Sequence, residues 1–265
     1  MSSIKEKLTN MFSKVMAGTV TREEGTMLIN HLAKEDLVET VRELSALIDT
    51  PPSGVFPKTI LHTIALARNK SFNNILVAAL DHKNEDVSIL AAEELARLKT
   101  SEAKDVLVEH LASEMYHVRK ASATALVQLP DGLEILKDHI LGHSEPFFRL
   151  TSAQALIRAG KSGIEAMLSV LNSGNADAVA SIGEALIASS KDLGNSEIPM
   201  IFEALMMAGD RKDTQSIVAL LKVAGALKDK AKGFEGYVIA FEDHQVDSVR
   251  QEAEQALKQI KAAIR

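Results

Sequence analysis

Val118-Arg119-Lys120-Ala121-Ser122-Ala123-Thr124-Ala125-Leu126 is the stretch of sequence that decides the fold. Its small residues fall at helical spacing, which predicts a helix with a small packing face. Pro130-Asp131-Gly132 then ends that helix. Residues 133–141 return to an apolar pattern of helical period, so a second helix is expected there. Residues 115–141 are therefore interpreted as one helix-turn-helix unit.

The same pattern recurs along the chain with a period near thirty residues. A leucine that follows the last small residue of each first helix serves as one marker, and it stands at Leu66, Leu95, Leu126, Leu156 and Leu186. An apolar residue near the end of each second helix serves as another marker, and it stands at Leu80, Leu111, Leu141, Leu171, Leu205 and Phe241. A fixed period of about 20 to 50 residues indicates stacked repeats, in which neighbouring units bury each other's apolar faces.

Composition favours helices over strands. Hydrophobic residues make up 46% of the chain and aromatic residues only 4%, with alanine and leucine dominant. We predict an all-α fold, a right-handed α-solenoid of about six helical pairs with helical caps. The breaker Thr50-Pro51-Pro52-Ser53-Gly54 divides the prediction into an N-terminal helical cap over residues 1–50 and one continuous repeat array over residues 51–265.

The N-terminal segment is predicted to begin with an amphipathic helix that ends near Gly18. Apolar residues follow helical spacing over residues 4–16, and lysines occupy the polar face. We interpret this helix as a cap that covers the first apolar face of the stack. A detachable partner-docking helix and a membrane-surface anchor are the alternatives. Thr21 and Glu24 then have the spacing of a capping box, which predicts the start of the next helix.

Cysteine content and net charge exclude or disfavour several classes of function. The chain has no cysteine, which excludes disulfides, thiolate nucleophiles and Cys-ligated zinc. Its formal net charge is -6, which disfavours nucleic-acid binding because that binding depends on lysine and arginine neutralising phosphates. No apolar run has the length of a signal peptide or a membrane span, so a cytoplasmic protein without a membrane span is expected.

Four stretches resemble the signature of HEAT repeats, in which an Asp near a turn is followed by Val-Arg and then by Ala and Ala-Leu at helical spacing. They are residues 247–257, Val118-Arg119 through Leu126, Phe148-Arg149 through Leu156, and Asp86-Val87 through Leu95, where Ser88 stands in place of the Arg. The resemblance covers about residues 55–265, and the short period is similar to that of bacterial HEAT-like units of the phycobilin-lyase type. It implies a protein-interaction scaffold or adaptor, because HEAT arrays mostly hold partners.

In HEAT arrays the second helices line the concave side, so the resemblance places the partner-binding surface there. The candidate residues are Asp105, Glu109, Glu134, Asp138, His139 and Glu165. Because this set is mainly acidic, the expected partner is a protein or peptide with a basic patch, held by an attraction that weakens as salt rises. An ordinary solvated helix face is the alternative interpretation.

Two further sets of residues are assigned structural roles. Arg119, Arg149 and Arg250 are expected to begin an exposed edge of each first helix, near an Asp that caps the helix. His82 and His143 occupy the same place in their repeats, two residues after the second marker. We expect these histidines to cap turns.

No catalytic motif is present, so an enzyme is not predicted, and no cofactor or metal is expected. His139 and His143 have the spacing of two metal ligands, but Gly142 interrupts the helix and no third ligand is evident. The His-Glu dipeptides of HEAT-like deoxyhypusine hydroxylases do not occur here. The resemblance leaves two alternatives open, a lyase or chaperone subunit for a tetrapyrrole and a HEAT-like DNA-repair glycosylase. The glycosylase would need a basic face and aromatic residues.

Overall fold

A computed structural model describes the backbone of residues 3–264 and the side chains of residues 3–263, and within this range the regular structure is entirely helical. The α-helices are α1 (Ile4–Met16), α2 (Arg22–Glu35), α3 (Leu37–Asp49), α4 (Pro57–Leu66), α5 (Asn73–Leu80), α6 (Glu85–Leu98), α7 (Ser101–Glu109), α8 (Tyr116–Leu126), α9 (Gly132–Gly142), α10 (Pro146–Arg158), α11 (Lys161–Ser169), α12 (Ala176–Ala188), α13 (Ile198–Asp210), α14 (Thr214–Leu227), α15 (Glu235–Ile239) and α16 (Asp247–Ile264). The all-α prediction is confirmed.

The chain divides into two compact units, and the division falls between Leu129 and Pro130. In the first unit the helices α4, α6 and α8 pack on one another in chain order, while α3 packs on α5. In the second unit α10, α12, α14 and α16 pack in the same way, while α9, α11, α13 and α15 follow beside them. We call α4, α6, α8, α10, α12, α14 and α16 the first helices of the repeats, and we call α5, α7, α9, α11, α13 and α15 the second helices.

The N-terminal helices are integrated into the first unit. Helix α1 packs against α2, α3 and α4, and it buries Leu8 and Phe12 completely. The predicted capping box is confirmed, because Thr21 Oγ1 accepts from Glu24 N at 3.1 Å and Glu24 Oε2 accepts from Thr21 N at 2.8 Å. The side chain of Asp36 caps α3 by accepting a hydrogen bond from Glu39 N at 3.0 Å. These bonds satisfy backbone donors that a helix start leaves without partners.

A side chain in the turn before each of five first helices accepts a hydrogen bond from the backbone N–H two residues later. The N–H to acceptor distances are 3.0 to 3.3 Å, and the acceptors are His82, Ser113, His143, Ser173 and His244. The predicted turn-capping role of His82 and His143 is therefore confirmed. Because the bond reverses the chain locally, it fixes where the following helix begins.

The signature arginines bind the same turns. Nη1 of Arg119, of Arg149 and of Arg250 donates in each case to the carbonyl oxygens six and five residues earlier, at 2.7 to 3.1 Å. The prediction of an exposed edge is wrong for Arg119 and Arg149, which are 5% and 3% exposed. The turn carbonyls have no helical partner, so the guanidinium is drawn inward to satisfy them. Arg250 stays partly exposed and also pairs with Asp247.

The predicted repeat marker in α4, Leu66, is in the wrong register. Leu95, Leu126, Leu156 and Leu186 are at most 1% exposed, but Leu66 is 42% exposed. Ile64, which is 1% exposed, takes the buried place in α4 and lies thirty-one residues before Leu95. The leucine pattern could not separate the two positions, because α4 is apolar on most of its circumference.

Small residues allow the first helices to approach closely. Gly225 of α14 faces α16, where an added Cβ would lie 3.1 Å from Cα of Ala256. Gly183 of α12 faces α14, where an added Cβ would lie 3.3 Å from Cβ of Ala219. Such distances leave no room for larger side chains, which explains why a chain poor in aromatic residues can fill its interior.

Candidate partner-binding surface

Helix α7 presents an acidic face in the first unit. The side chain of Thr100 caps its start by accepting from Ala103 N at 3.2 Å. Ala103 and Leu107 are buried on one side of the helix. Asp105 and Glu109, four residues apart, are exposed on another side. Neither carboxylate forms an ion pair with a basic residue in the described range. Two of the predicted residues therefore lie together and remain free to attract a cation.

Helices α9 and α11 carry the other predicted carboxylates, in the second unit. Glu134, Asp138 and Glu165 are all exposed. Glu134 pairs with Lys137 on its own helix, and Glu165 lies 3.9 Å from Nζ of Lys161. Asp138 has no ion pair within residues 3–264. Lys137 and Lys161 therefore offset part of the negative charge predicted for this unit. Exposed ion pairs of this kind contribute little to the stability of the fold.

His139 is less exposed than the other five predicted contact residues. Its Nδ1 lies 3.0 Å from Ser152 Oγ on α10, and its Nε2 is buried without a hydrogen-bond partner. The ring lies 5.0 Å from the ring of His143, measured between centroids. Position 139 flanks the stripe that buries Leu136 and Ile140, so the imidazole is turned toward α10.

The half-buried position of His139 leads to a prediction about pH. Burial, with the neighbouring His143 as a smaller cause, lowers the pKa of His139 to about 4. The unfolded chain takes up a proton near pH 6.5, whereas the folded chain does not, so the stability held above pH 6.5 is lost as the pH falls toward 4. Between pH 7 and pH 4.5 we expect His139→Gln to lose about 2 kcal/mol less stability than the unaltered protein.

Urea unfolding at the two pH values measures this difference. The matched control is His31→Gln, which removes a histidine whose side chain is 65% exposed. An equal loss of stability in the unaltered protein and in His139→Gln would contradict the assigned burial of the imidazole.

A groove between α11 and α13 in the second unit was not predicted from the sequence. Its volume is about 500 Å³, and Leu168, Met200 and Met207 contribute apolar walls. Met207 is 54% exposed. Glu165 and Glu203 also line it, opposite charges being supplied by Lys161 and Arg211. Flexible methionines suit a surface that accepts varied side chains. The groove places one predicted residue, Glu165, beside an apolar contact area.

Two irregular loops of the second unit contact each other. Nζ of Lys230 donates to the carbonyl oxygens of Ser190 and Leu193, at 3.2 and 3.0 Å. The sequence shows both loops as departures from the repeat, at residues 189–195 and 229–233, but it does not show that they meet. The contact orders the chain that leads into α13, one wall of the groove.

Within residues 3–264, no helix combines the length and the hydropathy needed to cross a membrane. No cluster of three His, Asp or Glu residues in that range has a geometry that could hold a metal ion.

Residues 41–128 match the family model for HEAT repeats. This segment is made of HEAT repeats. The HEAT segment begins inside α3 and ends after α8. It therefore starts before residue 55, where the resemblance was expected to begin. The repeats after residue 128, whose turns are bound by Arg149 and Arg250, lie outside the match.

Several solved structures are similar to the chain. Human deoxyhypusine hydroxylase in complex with glycerol is 16% identical, with 98% of this chain and 97% of that chain covered and a TM-score of 0.38. Kap121p bound to Ste12p is 14% identical, with coverage of 96% and 33% and a TM-score of 0.39. A designed armadillo repeat protein in complex with peptide (KR)4 is 17% identical, with coverage of 89% and 97% and a TM-score of 0.31. No curated protein matches the sequence.

Proposed function

We propose that this chain is a non-enzymatic cytoplasmic adaptor that binds a partner protein through its second helices. The observation that carries the proposal is the set of exposed carboxylates without ion pairs, Asp105 and Glu109 on α7 and Asp138 on α9, within residues 3–264. Exposed charges that have no internal partner break no ion pair when they bind a ligand, and they steer association with an oppositely charged surface. A partner with a basic patch fits this chemistry.

The groove between α11 and α13 supports a protein rather than a small ion as the partner. It combines Met200 and Met207 with Glu165 and Glu203, so it can receive an apolar side chain beside a basic one. Interfaces of this kind place an apolar contact at the centre and charges at the rim. HEAT repeats over residues 41–128 agree with this proposal, since repeat stacks offer long surfaces to their partners.

Affinity capture tests the proposal. The tagged protein is incubated with its native cytosol and washed at low and then at high salt, and the captured protein is identified and purified. We expect one stoichiometric basic protein that high salt releases, because screening weakens exposed charge pairs. Its affinity is then titrated with the pure proteins. Asp105→Lys combined with Glu109→Lys should weaken binding at least about tenfold.

The control variant combines Glu184→Lys with Glu254→Lys, two exposed carboxylates on the first helices α12 and α16. It makes the same change in net charge and should leave the affinity unaltered. Equal weakening by both variants would show that only net charge matters. Capture of nucleic acid or of a coloured tetrapyrrole in place of a basic protein would also overturn the proposal.

A further inference from the structure

A second groove, in the first unit, has the opposite charge. It lies where α4 and α6 end and where α5 and α7 begin, and its volume is about 450 Å³. Four cationic side chains line it: Arg68, Lys70, Arg97 and Lys99. The groove includes the first turn of α7, but Asp105 and Glu109 do not line it.

Two of the four cations already hold carboxylates of the groove. Arg97 Nη1 lies 2.6 Å from Oε1 of Glu94, whose side chain is 4% exposed, and His62 Nδ1 lies 3.0 Å from the same oxygen. Lys70 Nζ lies 3.8 Å from Oε1 of Glu102. The buried Glu94 therefore anchors the guanidinium of Arg97 at the groove wall, in the geometry of a charge-assisted hydrogen bond.

The other two cations, Arg68 and Lys99, form no ion pair with any carboxylate in residues 3–264. Both are exposed. They lie thirty-one residues apart in successive repeats, Arg68 two residues after the end of α4 and Lys99 directly after the end of α6. Their positive charge is therefore not balanced within the groove and is available to a ligand.

The groove also has an apolar part. Leu66 is 42% exposed and Leu98 is partly exposed, and both line the groove. Leu66 is exposed because Ile64, and not Leu66, takes the buried position of α4. An exposed leucine between cations is a contact site for a ligand that carries both an apolar group and negative charge.

We propose that this groove binds an acidic segment of a second protein, with carboxylates at Arg68 and Lys99 and one apolar side chain against Leu66. A peptide is the occupant that matches both features, because its acidic and apolar side chains alternate at a spacing of a few ångströms. The chain would then hold two partners of opposite charge, one on each surface. This inference goes beyond the proposed adaptor function and rests on other residues.

The backbone offers a variant that removes the two free charges without harming the fold. The φ angles of Arg68 and Lys99 are +48° and +53°, in the left-handed region that favours glycine. Arg68→Gly combined with Lys99→Gly therefore relieves backbone strain while it deletes both charges. Lys212→Gly combined with Lys228→Gly is the matched control, because these lysines have φ angles of +56° and +55° and lie in the second unit, outside the groove.

Fluorescence anisotropy tests the proposal with three labelled twelve-residue peptides, which are rich in Asp and Glu and carry a central Leu, Ile or Phe. We expect the unaltered protein to bind at least one of them and to lose affinity as salt rises. Arg68→Gly with Lys99→Gly should weaken binding at least about tenfold while its melting temperature stays equal or rises. Leu66→Ser should weaken binding as well, and the Lys212 and Lys228 control should bind as the unaltered protein does.

The outcomes that overturn the proposal are equally definite. One is no binding of any acidic peptide by the unaltered protein at low salt. Another is equal weakening by the two double-glycine variants. A third is binding of a single-stranded oligonucleotide or of polyphosphate at the groove in preference to the peptides. Asp105 and Glu109 are unaltered in every variant. A failure of acidic-peptide binding at this groove would therefore leave the test of basic-partner binding at Asp105 and Glu109 unaffected.

Discussion

Arg149→Ala is expected to reduce the free energy of unfolding by about 3 kcal/mol. Arg149 is 3% exposed, and its guanidinium donates to His143 O and Ser144 O at 2.7 Å each and to Ser181 Oγ at 3.0 Å. The substitution leaves two turn carbonyls without their donor and opens a cavity between α10 and α12. Water cannot reach such a site easily, so the carbonyls lose their hydrogen bonds.

Urea unfolding followed by circular dichroism measures this loss. Arg250→Ala provides the matched control, because Arg250 makes the same contacts to His244 O and Gln245 O but its side chain is 42% exposed. Water replaces the donor there, and we expect a loss of about 1 kcal/mol. Equal losses in the two variants would show that burial does not determine the contribution of the arginine.

Phe202→Ala should reduce the free energy of unfolding by about 3 to 5 kcal/mol. Phe202 in α13 is completely buried, and its ring stacks on the ring of Phe234 with 4.7 Å between centroids and 6° between planes. Tyr237 lies against the same ring at 5.8 Å. Removing the ring leaves a cavity that the surrounding helices fill only in part, so the contacts with Phe234 and Tyr237 are lost together.

Two control variants separate the effect of the buried Phe202 ring from a small change in volume and from the loss of an exposed ring. Phe202→Leu keeps most of the volume and should cost less than about 1.5 kcal/mol. Phe56→Ala removes a ring that is 62% exposed and should change the stability by no more than about 0.5 kcal/mol. A loss below about 1 kcal/mol for Phe202→Ala would contradict the stacked packing of α13 on the segment that carries Phe234.

Local signals predicted much of the fold. The capping box at Thr21, the breaker after Thr50 and the turn histidines His82 and His143 all depend on residues close in sequence, and the structure confirms each helix start or turn. Burial depends on what packs against a residue. The sequence could not show that the turn carbonyls draw Arg119 and Arg149 inward, nor that Ile64 replaces Leu66 in the core.

The candidate site was predicted in part. Exposure of Asp105, Glu109, Glu134, Asp138 and Glu165 followed from the helical period, which separates the polar side of a second helix from its buried stripe. His139 lies at the border of that stripe, where the period alone does not assign a direction. The two grooves, by contrast, form between residues about thirty positions apart, and a local sequence pattern does not predict which residues of neighbouring repeats line them.

Hydrogen–deuterium exchange on the complex with the captured basic protein tests the central proposal most directly, because it locates the contact without altering the chain. We predict slower amide exchange on the second helices, with α7 around Asp105 and Glu109 among the protected segments. Exchange on the exposed faces of the first helices should be unchanged. Protection confined to first helices such as α6, α12 and α14, with α7 unaffected, would contradict the assignment of the second helices as the partner-binding surface.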